Sequence, residues 1–210
     1  IDTQIGSTSG LDSIEPNVSL WFDASNIDFL NNSSLSNGDS IQTWLDLSGN
    51  NHSAIQESNI QQPIYNNNYL TFDGADDYFA ILNKSYQTES LDNIHIFAVV
   101  QSSSDNKQII LSYDRSEYYR LSLHDDVSTG AAFDTSSSIT DDLGSESYSN
   151  GQKHIIHGSY EKNRTSYQKG IHVDGKLISH SSPHPEGIGT NIARFGFIGV
   201  GSEASEFNSS

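Results

Sequence analysis

The chain has 210 residues, of which 34% are hydrophobic, and 27 acidic against 10 basic side chains give it a formal net charge of −17. This charge repels phosphate backbones and anionic lipid surfaces. Nucleic acid is therefore not an expected partner, and membrane insertion is not expected. Cysteine is absent, so neither a disulfide framework nor a thiolate metal site is available. Ten Tyr, nine Phe and two Trp favour a folded domain over disorder.

The predicted elements are short apolar or alternating runs, each closed by turn residues, which is the pattern of strands rather than helices. Eleven strands are predicted, over residues 19–22, 41–44, 69–72, 78–82, 94–100, 108–113, 118–123, 154–160, 166–173, 176–179 and 194–200.

This many strands require a second layer to cover the apolar face of the first, so we predict an all-β sandwich of two antiparallel sheets. Asp174-Gly175 lies between two of the runs and predicts a two-residue hairpin turn. Residues 31–40 and 136–150 are predicted to be polar loops. One domain is expected over residues 1–210, as part of a longer, exported chain.

Several motifs carry a resemblance to a known family. They are LWFDAS at 20–25, WLDLSGN at 44–50, FDGADDY at 72–78, SDN at 104–106, VDGK at 173–176 and IGVGSE at 198–203. In order and spacing the chain resembles the laminin-G or concanavalin A-like jelly roll, and its later half resembles the pentraxin version. Among such modules it is most similar to the peptide-binding domains of calcium-dependent repeats-in-toxin adhesins of marine bacteria. Family members usually close with a further strand, which we expect adjoining sequence to supply.

The resemblance implies calcium at one sheet edge. Pentraxin-like rolls hold the ion with an Asp-Asn pair in one loop and acidic residues in another. Asp105 and Asn106 match the first element, while Ser202, Glu203 and Glu206 could supply the second. Clustered carboxylate, amide and carbonyl oxygens are the ligands that calcium prefers. The residue types alone leave open that Asp105-Asn106 is only a turn.

Two further acidic segments are candidates for calcium. Asp73, Asp76 and Asp77 crowd one bend, and they repel one another unless a cation or backbone amides compensate. The family resemblance implies that these Asp side chains mostly cap the turn, which favours a structural role over calcium binding. The segment from Asp46 to Glu57 partly fits an EF-hand loop, but it lacks the glycine at the sixth position, which favours a simple turn.

The candidate ligand-binding residues follow the Asp105 loop along the chain. Arg115, Tyr118 and Tyr119 could offer hydrogen bonds and stacking surface to a peptide or a sugar. Strand alternation places one of the two tyrosines in the core. Asp125 could contact the ligand or an ion, or simply end a strand.

We therefore expect a non-catalytic, calcium-dependent module of a bacterial surface adhesin, which binds peptide C-termini on other cells in adhesion and biofilm formation. The alternatives are a calcium-dependent lectin domain that binds a surface glycan, and a polysaccharide-active enzyme. The enzyme is disfavoured because no Glu-x-Asp-x-x-Glu strand motif supplies paired carboxylates. His154 and His157 are three apart on a predicted strand and therefore point to opposite faces.

Overall fold

The computed structural model describes residues 17–82, 91–113, 119–123, 130–135, 146–182, 187–188 and 195–201. These residues form thirteen strands and include a short 3₁₀ turn, Asn59–Gln61, with no α-helix in the part described. The strands are β1 Thr43–Trp44, β2 Ala54–Ile55, β3 Ile64–Tyr65, β4 Leu70–Thr71, β5 Phe79–Ile81, β6 Asn93–Gln101, β7 Gln108–Tyr113, β8 Tyr119–Leu123, β9 Ala131–Thr135, β10 Lys153–Glu161, β11 Lys169–Val173, β12 Lys176–Ser181 and β13 Gly196–Ile198. Nothing within these ranges has the length and apolarity of a membrane-spanning helix.

The strands form two main antiparallel sheets, as predicted. The larger has seven strands in the order β1-β2-β5-β13-β7-β8-β9, the smaller has four in the order β12-β11-β10-β6, and β3 and β4 pair separately. All the recorded pairings are antiparallel. The all-β sandwich prediction is confirmed, and the jelly-roll connection pattern stays a prediction.

The core lies between these two sheets. Gly158 on β10 faces Phe133 on β9 and Leu121 on β8, and a methyl group at Gly158 would lie 2.9 Å from the Phe133 ring. Only glycine allows the sheets to approach this closely here. Ile156, on the same face of β10, is completely buried. The layers are therefore packed directly, as a sandwich requires.

The hairpin prediction is confirmed at Asp174-Gly175. The two residues connect β11 to β12 and have φ angles of 50° and 79°. Val173 pairs with Lys176 across the turn. A two-residue turn with positive φ at both positions matches the right-handed twist of the flanking strands.

The prediction of a strand at residues 19–22 is wrong. Trp21 is held instead by a turn, because its amide donates to Asp46 Oδ1 at 3.0 Å and its carbonyl accepts the Leu47 amide at 2.8 Å. The other ten predicted strands are present, several of them shorter than predicted. The sequence analysis missed β2, β3 and β9.

Candidate functional site

The bend between β4 and β5 brings Asp73, Asp76 and Asp77 together. Asp73 Oδ1 accepts the amides of Ala75 at 2.8 Å and Asp76 at 3.2 Å. Asp77 Oδ2 accepts the Asp73 amide at 2.8 Å. Gly74, with φ of 76°, gives the chain its left-handed step. The carboxylates of Asp73 and Asp77 thus close the bend by accepting hydrogen bonds from its backbone amides. Several other carboxylate oxygens of the bend take no part in these three bonds.

These three carboxylates offer oxygens that all lie within 4.8 Å of one another, at partly or fully exposed positions. Bonds from the Ala75 and Asp76 amides hold the pKa of Asp73 below its ordinary value. The pKa of Asp77 is raised, chiefly by partial burial and also by repulsion from Asp73 and Asp76. The backbone amides therefore compensate the negative charge of Asp73, but not that of the three carboxylates together. A hard cation such as Ca²⁺ would supply the missing positive charge.

The end of β13 touches this bend. Gly199 has φ of 91°, and a methyl group there would lie 2.8 Å from the Phe72 ring and 3.0 Å from the Asp77 carbonyl oxygen. Ser202 follows three residues later, and it lies outside the described residues together with Glu203 and Glu206. Their predicted role as calcium ligands stays a prediction.

Asp105 and Asn106 lie in the exposed connection between β6 and β7. The Asn106 amide donates to Ser104 Oγ at 3.2 Å, and the Asn106 carbonyl accepts Gln108 Nε2 at 3.3 Å. Among the described residues, Asp73, Asp76 and Asp77 are the one group of three or more acidic or histidine side chains whose ligand atoms all lie within 4.8 Å of one another. The structure does not bring Asp105 to it, and the calcium role of the Asp105 loop stays a prediction.

Of the predicted ligand-binding residues, the structure describes only Tyr119. Its side chain is 1% exposed, and its ring lies 5.5 Å from that of Tyr113 and 6.2 Å from that of Phe133. Tyr119 is thus a core residue, which offers no exposed surface to a ligand. Arg115, Tyr118 and Asp125 lie outside the described residues.

Asp46 forms a turn of a different kind. Its carboxylate is buried and accepts the amides of Trp21, Ser48 and His52 at 2.9 to 3.0 Å, and the Ser48 hydroxyl at 2.8 Å. Burial alone would raise the pKa of Asp46, but these hydrogen bonds outweigh it and lower the pKa. The donors to the Asp46 carboxylate all come from this loop and from Trp21, so Asp46 stabilises the turn. The absence of the EF-hand glycine from this segment had indicated a simple turn.

A buried ion pair escaped the sequence analysis. Arg120 on β8 pairs across the sheet with Asp134 on β9, with Arg120 Nε 2.9 Å from Asp134 Oδ2. Both side chains are buried, on the face opposite Leu121 and Phe133. Removing one partner of a buried pair leaves an uncompensated charge. An Arg between Tyr119 and Leu121 in a predicted strand was the available signal.

His154 and His157 point to opposite faces of β10, as predicted. His154 is buried, with Nδ1 2.8 Å from Asp174 Oδ2 and Nε2 3.2 Å from Asn150 Oδ1. Asp174 also accepts the Ile155 amide at 2.9 Å. His154 therefore fixes the β11–β12 turn against β10.

The fold and these sites define the chain as an antiparallel β-sandwich with an exposed carboxylate bend. No known protein family and no curated protein matches the sequence. Among solved structures, a sialidase is similar at a TM-score of 0.36 and 12% identity, over 67% of this chain and 12% of the sialidase chain. The chain thus corresponds to a small part of that protein, and a similarity this low carries no argument about function.

Proposed function

We propose that the chain is a calcium-dependent binding module of a bacterial surface adhesin, exposed outside the cell, which binds peptide C-termini on other cell surfaces. The observation that carries the proposal is the convergence of Asp73, Asp76 and Asp77 oxygens within 4.8 Å on an exposed bend. Calcium binds flexible sets of six to eight oxygens, and this bend would supply part of such a set.

Three features support this proposal. The raised pKa of Asp77 results from burial and from two neighbouring carboxylates, which is the condition that a bound cation relieves. The net charge of −17 attracts cations over a wide surface. The absence of cysteine leaves metal binding as one remaining way to reinforce an extracellular domain.

The choice of a peptide as ligand rests on the motif resemblance to peptide-binding adhesin domains. In such a module a peptide carboxylate would complete the calcium coordination. A glycan with vicinal hydroxyls would use the same ion, and the experiment below distinguishes the two.

The test is thermal melting of the 210-residue chain in calcium and in chelator, repeated with a pool of C-terminal tripeptides and with simple sugars. Binding to the folded state alone stabilises it by RT ln(1 + [Ca]/Kd), so we expect a higher Tm in calcium and a further rise with peptides. A further rise with sugars instead would replace the peptide proposal with a lectin. An equal Tm in calcium and chelator would overturn the calcium proposal.

Asp76→Asn is the site variant for this test, because it removes one carboxylate while the bonds accepted by Asp73 and Asp77 remain. Asp92→Asn is the charge-matched control. Asp92 lies next to the four-stranded sheet, where it pairs with Lys162 at 3.0 Å. The calcium-dependent rise should disappear in Asp76→Asn and persist in Asp92→Asn.

A further inference from the structure

The outer face of the four-stranded sheet presents apolar and aromatic side chains to solvent. Alternate residues of β6 and β10 point away from the core, and among them Phe97 and Val99 are 67% and 71% exposed. Ile155 is half exposed on the neighbouring strand. This face also carries imidazole rings, which bind metals as well as packing against apolar groups.

His157 lies at the centre of this face. On β10 it is directly opposite Phe97 of β6 and His172 of β11. Its ring stacks on that of Phe97, with centroids 4.0 Å apart and planes 10° apart, and on that of His172 at 4.8 Å. Rings on both sides thus fix the plane of the His157 imidazole.

A third imidazole directs a nitrogen at His157. His95 lies on β6, one diagonal position away, and His95 Nδ1 is 3.1 Å from His157 Nε2, so that without an ion one ring donates a hydrogen bond to the other. Two nitrogens bound to one tetrahedral Zn²⁺ at 2.0–2.1 Å lie about 3.3 Å apart. The His95 side chain is 43% exposed, so an ion reaches the pair directly from solvent.

Glu161 stands on the other side of His95. Its Oε1 is 3.6 Å from His95 Nε2 and 3.1 Å from Arg164 Nη2. Metal-bound histidines usually direct the second ring N–H at a carboxylate, which fixes the tautomer and the ring orientation. At 3.6 Å, Glu161 Oε1 is just beyond hydrogen-bond distance of His95 Nε2, and a small rotation of either side chain would let Nε2–H donate to Glu161 and leave the proton off Nδ1.

We propose that His95 Nδ1 and His157 Nε2 bind a divalent transition-metal ion such as Zn²⁺ on the outer face of the four-stranded sheet. Imidazole nitrogen favours Zn²⁺, Cu²⁺ and Ni²⁺ over Ca²⁺, which prefers oxygen. The site is distinct from the Asp73 bend in donor type and in sheet.

The test is a Zn²⁺ titration of the tag-free chain by calorimetry, with the imidazole signals followed by NMR. We expect saturable binding in which the ring signals of His95 and His157 change together. His95→Gln and His157→Gln should each weaken binding at least tenfold. His180→Gln is the matched control, because His180 is exposed on β12 of the same sheet and stacks on Tyr167; it should bind as the unsubstituted chain does.

Glu161 is a positioning residue, so its variant has its own readout. Glu161→Gln should weaken Zn²⁺ binding less than the histidine variants do and shift the nitrogen resonances of the His95 ring toward the other tautomer. Unchanged Zn²⁺ affinity in His95→Gln, whose side chain is exposed and whose loss should not unfold the sheet, would overturn the proposal. So would binding that Asp76→Asn abolishes, since the carboxylate bend would then be the Zn²⁺ site.

Discussion

Two turns of this protein are closed by aspartate side chains and differ in what surrounds their carboxylates. The single Asp46 carboxylate accepts four hydrogen bonds and is buried. At the second turn, three bonds from backbone amides are shared by Asp73 and Asp77, and Asp76 adds a third carboxylate. The first turn has more hydrogen-bond donors than carboxylates, whereas the second has no such excess, and our proposal is that a cation completes the second.

The pKa shifts of the two turns follow this difference. At Asp46 the hydrogen bonds overcome the effect of burial and lower the pKa. At Asp77 burial and neighbouring negative charge win, and the pKa is raised. The number of hydrogen-bond donors around an acidic motif therefore indicates whether its negative charge is compensated within the fold.

The largest effect is expected at the complete turn. Asp46→Ala leaves the amides of Trp21, Ser48 and His52 without their acceptor, which should lower the free energy of unfolding by about 3 kcal/mol. Urea denaturation with and without calcium measures this loss, which should be the same in both. Asp23→Ala is the control, because the Asp23 carboxylate accepts hydrogen bonds from the amide and hydroxyl of Ser25 at an exposed position, and its loss should cost far less. A loss that calcium restores would mean that Asp46 is an ion ligand.

Gly199→Ala should have the next largest effect, because it acts on the second turn from outside. The positive φ and the contacts with Phe72 and the Asp77 carbonyl should together cost about 2 kcal/mol or more. Calcium affinity should fall as well, since the bend must shift. Gly151→Ala is the matched control, with φ of 79° and open space around its Cα. If the two variants behave alike, Gly199 does not support the bend.

Acid should weaken the first turn in a defined direction. Because the folded pKa of Asp46 is below its ordinary value of 3.8, its contribution is present above that value and is lost as the pH falls through the folded pKa. The difference in unfolding free energy between the unsubstituted chain and Asp46→Asn should therefore shrink at low pH. A difference that stays constant down to pH 2 would contradict the hydrogen-bonded carboxylate.

The smallest effect is expected for Asp76→Asn without calcium. Removing one of three crowded charges should leave Tm unchanged or raise it by about 2 °C at most. Melting in chelator measures this, with Asp92→Asn beside it. A clear fall in Tm would show that the Asp76 charge stabilises the bend by itself.

The sequence predicts the longest strands well. The apolar run that forms β6 and the Asp-Gly turn after Val173 are local signals that tertiary contacts reinforce. The missed β9, Ala131–Thr135, contains alanines and an aspartate with weak strand preference, and it is a strand because Asp134 pairs with Arg120 on β8. The strand predicted at residues 19–22 is absent because the backbone of Trp21 hydrogen-bonds to the turn at Asp46 and Leu47 rather than to a neighbouring strand.

The two candidate sites differ in how far apart their residues lie in the sequence. Asp73, Asp76 and Asp77 are neighbours in sequence, so their convergence was predictable. His95 and His157 are 62 positions apart, and only the β6–β10 register places their nitrogens together. The pattern of residues along the chain does not predict that register, so the histidine pair could be identified only from the structure.

The most direct test of the central claim is a calcium titration of the isotope-labelled chain, observed through its backbone amide signals. If the Asp73 bend binds calcium, the amides of Asp73, Ala75 and Asp77 shift in a saturable way, and Asp76→Asn weakens the response at least tenfold. If these amides do not move at millimolar calcium, or move equally in Asp76→Asn, the bend is not a calcium site.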